Sequence, residues 1–349
     1  MTESDARLSS DVEALLERHK RWWQRDGSLL TWLPRSPLSD LWLPLADGTT
    51  ATEDVDLMPE MLDLDRLAGD PLLPGSLETQ GDILHTRAPY ARVPWVEAIL
   101  GCSIRATIQG GSMRTASFIR DWKEWNAQPD HWHEGWFRAL VQLTELLVER
   151  SGGRYAVTQT LMRGPSDLAE AVLGPELMCF SMFDAPDSLQ RFLEQVTDAF
   201  LRILDAQLSR IPRLKEGYVS AFGIWAPGKV VRTQCDASAF LSPQQYADYF
   251  MPYDRRICEA ADFSIIHLHS GSLHTVDALL TVAALDAIQV SIDPEPASPP
   301  VPALVPTFCK ILKAKPLIVS GPMSKEQVAL LEAELPADGR CILAQEGTW

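Results

Sequence analysis

Phe263-Ser264-Ile265-Ile266-His267-Leu268-His269 decides how this chain is read. Phe263 to Ile266 is a short apolar run, the composition of a strand covered on both faces, as in a parallel sheet. It ends in two histidines, followed by Ser270-Gly271. Residues two apart on a strand face the same side, so both imidazoles point together beyond the strand's end. Imidazole is a common metal ligand and the side chain that titrates nearest neutral pH, so such a pair marks a candidate site. A hydrogen-bonded structural pair is the competing reading.

Working outward, similar apolar or β-branched runs alternate with longer amphipathic stretches from about residue 150 onward, the pattern of βα units around a parallel sheet. Candidate strands are 155–160, 218–222, 230–234, 263–267, 287–292, 316–320 and 341–344, with one more at 28–33; together they reach the count a (β/α)8 barrel requires. The clearest helices are 188–208, 243–261 and 324–335, the second opening on Ser242-Pro243, an N-cap followed by proline at the first helical position. Residues 223–230 are too short and too rich in turn formers for a crossover helix, so one of the strands flanking them is expected to be a hairpin arm.

The first 136 residues differ in character. They hold nine of the eleven tryptophans (Trp22, Trp23, Trp32, Trp42, Trp95, Trp122, Trp125, Trp132 and Trp136). The expected organisation is an α/β, (β/α)8 TIM barrel with this Trp-rich extension covering one barrel end: 1–136 as extension and first strand, 137–349 as the remainder. Tryptophans so placed can stack on a flat ligand but more often fill a loop-rich core. Gly110-Gly111-Ser112 lacks the Gly-Lys-Ser/Thr ending of a phosphate loop, and no Gly-x-Ser-x-Gly elbow supports a serine hydrolase.

Composition removes several partner classes. Lys+Arg 31 against Asp+Glu 47 gives a net charge of −16, which repels nucleic acid and anionic membrane surfaces. With a polar start and no apolar stretch near the roughly 20 residues a membrane span needs, a cytoplasmic protein is expected. Six cysteines without any Cys-x-x-Cys pair read as reduced thiols.

Several segments together resemble the uroporphyrinogen decarboxylase superfamily, which also contains zinc-dependent methyltransferases serving methylcobamide and coenzyme M. They are Gly164-Pro165-Ser166-Asp167-Leu168, Leu173-Gly174, Asp184-Ala185-Pro186, the block Cys235-Asp236-Ala237-Ser238-Ala239-Phe240-Leu241-Ser242-Pro243, and Tyr249-Phe250-Met251-Pro252-Tyr253. The likeness spans roughly residues 150 to 345 and implies a barrel whose site lies at the C-terminal ends of its strands. The arginine-rich motif with which uroporphyrinogen decarboxylases grip carboxylates has no counterpart here, which points away from the porphyrin reaction. The methyltransferase branch carries His-x-Cys-Gly where this chain has His267-Leu268-His269-Ser270, and a further cysteine past its last strand. Here Cys341 falls at the start of that strand, and Gln345-Glu346-Gly347 occupies its end. Under the resemblance the first ligand is His267, His269 stands where the cysteine is expected, and the third ligand is missing; if strand 341–344 points its C-terminus into the same mouth, Glu346 completes a two-histidine, one-carboxylate set suited to zinc, iron or manganese.

Other candidates lie on neighbouring strand ends. Asp236 is the next acid/base candidate, with capping of the following loop as its structural rival. Arg232 and Gln234 alternate with it on one strand face. Arg163, with Gln159, flanks another strand end, where its planar fork suits an acidic group unless an ion pair occupies it. Asp293 follows 287–292 and either faces the site or starts a turn; His274 is expected on a helix face. Three functional expectations follow. In the first, a methyltransferase-like enzyme holds zinc or another divalent metal that activates a small acceptor toward a methylated corrinoid, delivered by a corrinoid protein, with a homodimer left open. In the second, a metal-free decarboxylase or lyase holds a carboxylate substrate on Arg163 or Arg232, with Asp236 or a histidine moving protons. The third is a catalytically silent ligand-binding protein on the same scaffold.

Overall fold

Eight parallel strands follow one another along the computed structural model, which describes residues 9–34, 41–69, 77, 79–127 and 131–346, the Glu346 side chain excepted. They are β1 (Leu29–Leu33), β2 (Thr86–Arg87), β3 (Ala156–Val157), β4 (Val230–Gln234), β5 (Phe263–His269), β6 (Ala287–Ser291), β7 (Leu317–Met323) and β8 (Arg340–Glu346). Six form one sheet in the order β1-β8-β7-β6-β5-β4, parallel throughout. The other two, β2 and β3, pair with each other, also in parallel.

Side chains join the two sets where ladder bonds are missing. Gln159, just past β3, donates from Nε2 to the Arg232 carbonyl and accepts the Arg232 N–H on Oε1, both at 2.8 Å, so a side-chain amide imitates a neighbouring strand's backbone. Further along, the Gly164 N–H reaches the Gln234 carbonyl at 3.0 Å. Beside β1, the Leu30 N–H donates to Asp82, and the Asp82 N–H donates to the Thr31 hydroxyl.

The strand expected at 218–222 is a correction. Tyr218–Val219 pairs antiparallel with Trp225–Ala226, a hairpin turning through Gly223 at φ 73°, because the intervening residues are too few for a crossover helix. The remaining barrel strand is the two-residue β2, too short and too polar to stand out as an apolar run. The expected helix over 243–261 spans Pro243–Gln245, a π turn at Tyr246–Phe250 and Met251–Glu259. The wider turn precedes Pro252, which has no N–H to give to the helix ladder.

The amino-terminal helix α1 (Ser10–Trp23), capped by Ser9, seals the N-terminal end of the sheet. Its Trp22 and Trp23 pack with Leu29, Val230, Ile265, Ala287, Ile318 and Cys341, residues near the starts of β1 and β4 to β8. Trp95, Trp125 and Trp136 lie in the larger core among the outer helices. These rings fill space. Gly110 and Gly111 form the turn of a hairpin between Ser103–Thr107 and Ser112–Ala116. All six cysteines are unpaired, and among the described residues no helix is long and apolar enough to cross a membrane.

Candidate metal centre

The opposite end of the sheet carries the polar cluster. β5 runs two residues beyond the expected 267 and places His267 and His269 on one face, their ring centroids 4.9 Å apart and nearly perpendicular. Next to them β4 ends and the chain enters a 3-10 turn, Asp236–Phe240, whose first residue faces both imidazoles. Asp236 Oδ1 lies 3.8 Å from His267 Nε2, and Oδ2 lies 3.7 Å from His269 Nε2. Both gaps are too long for hydrogen bonds.

The far nitrogens of the two rings are fixed. His267 Nδ1 bonds to Gln289 Oε1 from β6, and Gln289 spends its Nε2 on the Ser320 hydroxyl of β7 at 2.8 Å. His269 Nδ1 bonds to Asp293 Oδ1 at 2.6 Å, while Asp293 Oδ2 accepts from the Ser270 hydroxyl and the Gly271 N–H, each at 3.3 Å. An acceptor on each Nδ1 puts a proton there and turns each Nε2 toward Asp236.

Asp236 is held as firmly. Gln234 Oε1 accepts from Arg232 Nη1 at 2.6 Å, which orients the amide so that its Nε2 donates to Asp236 Oδ2 at 2.8 Å and to Asp167 Oδ2 at 3.0 Å. Asp167, on the first turn of α2 (Pro165–Asp184), also takes the Ala237 N–H on Oδ1 at 2.8 Å, tying down the turn that carries Asp236. His274 clamps the same turn from the other side, its Nε2 reaching the Ser238 carbonyl at 3.0 Å. That residue sits in a turn, two residues before the helix Val276–Leu280, and not on a helix face as expected.

Burial and charge divide the protons unequally. Burial, with the Arg232 charge beside it, lowers His267 to about 4. The facing Asp236 carboxylate outweighs burial at His269 and, with Asp293, raises it to about 9. Burial opposes the Asp236 carboxylate, but His269, His267 and Arg232 outweigh it and hold the group below its ordinary range. Asp167, fully buried and near that charge, is pushed the other way.

This donor set fits a divalent ion. One atom from each of Asp236, His267 and His269 lies within 4.8 Å of the others, and Asp236 Oδ1 is buried without a hydrogen-bond partner. A buried carboxylate oxygen left bare costs free energy that a cation would recover. Two imidazoles and a carboxylate, each oriented by a second ring of bonds, suit zinc, iron or manganese. The sequence assigns the third position to Glu346; the carboxylate that the structure brings between the imidazoles is Asp236. Glu346 ends β8, and its side chain lies outside the described residues.

The other sequence candidates separate by role. Gln159 spends one donor and one acceptor of its amide on the β4 backbone, a structural bond between strands. Arg163 stands at the rim but pairs with the buried Glu97 at 3.0 Å. Gln234 and Asp293 position the donors, and Arg232 lies beneath them, buried. Asp167, Gln289 and Ser320 escape sequence reasoning. A glutamine inside the apolar run 287–292 is the one signal that pointed to any of them.

No family model and no curated protein matches the chain. Among solved structures, it superposes on a methyltransferase from Methanosarcina mazei with a TM-score of 0.54, 13% identity and 75% of each chain covered. A dihydrodipicolinate synthase from Oceanobacillus iheyensis superposes more loosely, with a TM-score of 0.36, 10% identity, and 95% of this chain and 70% of that one covered. The first likeness is one of fold: a TIM-barrel-like α/β core with a parallel sheet, and in this chain a polar cluster at the C-terminal strand ends.

Proposed function

We propose that the protein is a metal-dependent enzyme of methyltransferase type, in which His267, His269 and Asp236 hold a divalent ion such as zinc. One observation carries this reading: two imidazoles, each with Nδ1 engaged, turn Nε2 toward the Asp236 carboxylate, whose Oδ1, on the His267 side, is buried with no hydrogen-bond partner. When bound, the ion would supply the Lewis acidity that lowers an acceptor thiol's pKa near neutral pH. The chain's own residues orient that centre. Gln289 and Asp293 hold the ring tautomers, and Gln234 holds Asp236. The methyl donor in this reading is a methylated corrinoid brought to the open mouth, and the acceptor is a small molecule.

A metal-free lyase acting on a carboxylate is the second reading, favoured by one feature. His269 sits between Asp236 and Asp293, which hold a proton on it to about pH 9 and would make it a general acid. Metal analysis of purified protein beside a His267→Ala, His269→Ala double variant decides between them. Stoichiometric metal lost in the variant is expected; equal, substoichiometric metal in both overturns the metal reading.

A further inference from the structure

Below the histidines the polar cluster ends on a guanidinium with most of its donors unspent. Side-chain exposure falls from 42% at His269 and 37% at Asp236 to 13% at His267, and Arg232, one layer lower on β4, is 5% exposed as a residue. A guanidinium carries five N–H donors. Its side chain makes one hydrogen bond among the described residues, Nη1 to Gln234 Oε1 at 2.6 Å, and forms no ion pair. The nearest carboxylates, Asp236 and Asp167, act on it through space and are joined to it by hydrogen bonds only through the Gln234 amide. A buried guanidinium with unspent donors and no carboxylate in direct contact is costly, and such a group persists where an anion completes it.

We propose that Arg232 is the floor of an anion subsite, and that the substrate is a short carboxylic acid whose acidic group seats on this guanidinium while its other end faces His267, His269 and Asp236. The reach follows from the bonds. Legs of 2.6 and 2.8 Å joined through one amide put Arg232 Nη1 and Asp236 Oδ2 at most about 8 Å apart. A ligand spanning that gap is a few carbons long. Arg163 does not compete for the acid, because Glu97 already occupies it. As a substrate assignment this rests on the metal reading above, whereas the anion subsite stands without a metal.

Thermal unfolding of chelator-treated, metal-free protein tests it, with malonate as probe and malonamide at matched ionic strength as its uncharged twin. Malonate is expected to raise the Tm by several degrees in the wild type and in the His267→Ala, His269→Ala variant, and malonamide to leave it unmoved. Arg232→Met is expected to abolish the shift, and Arg232→Lys, which keeps the charge and fewer donors, to retain part of it. Equal stabilisation by malonamide, no shift in the wild type, or an undiminished shift in Arg232→Met overturns the subsite. If Arg232→Met does not fold, the Lys variant and the malonate–malonamide pair still decide. Metal content in the double variant separately decides the metal reading, so either can fail alone.

Discussion

His19 and His267 stand at opposite ends of the same barrel, and burial lowers both to about 4, yet they are different objects. His19, on α1, has both ring nitrogens taken by backbone: Nε2 donates to the Asp82 carbonyl at 2.8 Å, and Nδ1 accepts the Trp225 N–H at 2.9 Å. His267 has only Nδ1 taken, and its Nε2 faces a carboxylate across a gap. Burial and a displaced pKa are therefore common to a structural histidine and a candidate ligand. What separates them is the unspent lone pair. The same contrast holds for the two ends as wholes: tryptophans and apolar strand starts close one, and oriented donors with a bare carboxylate oxygen line the other.

The largest effect that would break this comparison is on stability. His19→Ala strands a buried N–H and a buried carbonyl and opens a cavity, an expected loss of about 4 kcal/mol in denaturant unfolding with metal binding untouched. His267→Ala strands only the Gln289 oxygen and is expected to cost about 1 kcal/mol while removing the metal. A reversed ranking would mean that the roles of the two ends have been exchanged.

Acid should reach His19 and His267 in the same window, so a variant has to isolate the sealed end. His19 is fully buried as a neutral ring, so its contribution is complete above the unfolded value near 6.5 and is lost as pH falls through the folded value of about 4. The wild type is expected to lose about 3 kcal/mol across that window from this group. His19→Gln should flatten that part of the profile in Tm measurements across pH. An unchanged slope would assign the acid sensitivity to another group.

A smaller effect tests the seam between the strand sets. Gln159→Leu removes the amide that bridges β3 to the Arg232 backbone and leaves a buried N–H and carbonyl bare, for an expected loss of about 2 kcal/mol. Metal content is expected to stay at the wild-type level, because β4 keeps its ladder to β5 and with it the position of Asp236.

The sequence made β4 to β8 legible because they are apolar runs with polar ends, the signature of strands buried on both faces. The pair at 267 and 269 was legible for the same reason: period two on a recognisable strand. β2 was not legible, since His85-Thr86-Arg87 carries no apolar pattern, and the hairpin at 218–226 imitates a barrel strand over its first residues. Asp236 was legible as a strand-end carboxylate but not as the group that meets both imidazoles. That depends on the 3-10 turn, which long-range bonds from Asp167 and His274 set. Such bonds leave no periodicity to read.

Asp293→Asn is the finest cut, because it alters one atom next to the candidate centre and nothing at the sealed end. Asp293 must accept on both sides: Oδ1 from His269 Nδ1–H, and Oδ2 from the Gly271 N–H and the Ser270 hydroxyl. Asparagine offers one acceptor. If its oxygen stays with Gly271, its NH2 meets His269 Nδ1 and drives the ring proton to Nε2, where it blocks the lone pair that faces Asp236. If its oxygen turns to His269, the Gly271 N–H loses its partner and the Ser270 turn loosens. Either outcome weakens the hold on His269, so metal affinity is expected to fall about tenfold, roughly 1.4 kcal/mol, with unfolding stability changed by less. Measured by competitive chelator titration, an unchanged affinity would mean that Asp293 shapes the turn and not the ring, and His269 would then join His19 as a histidine held for structure.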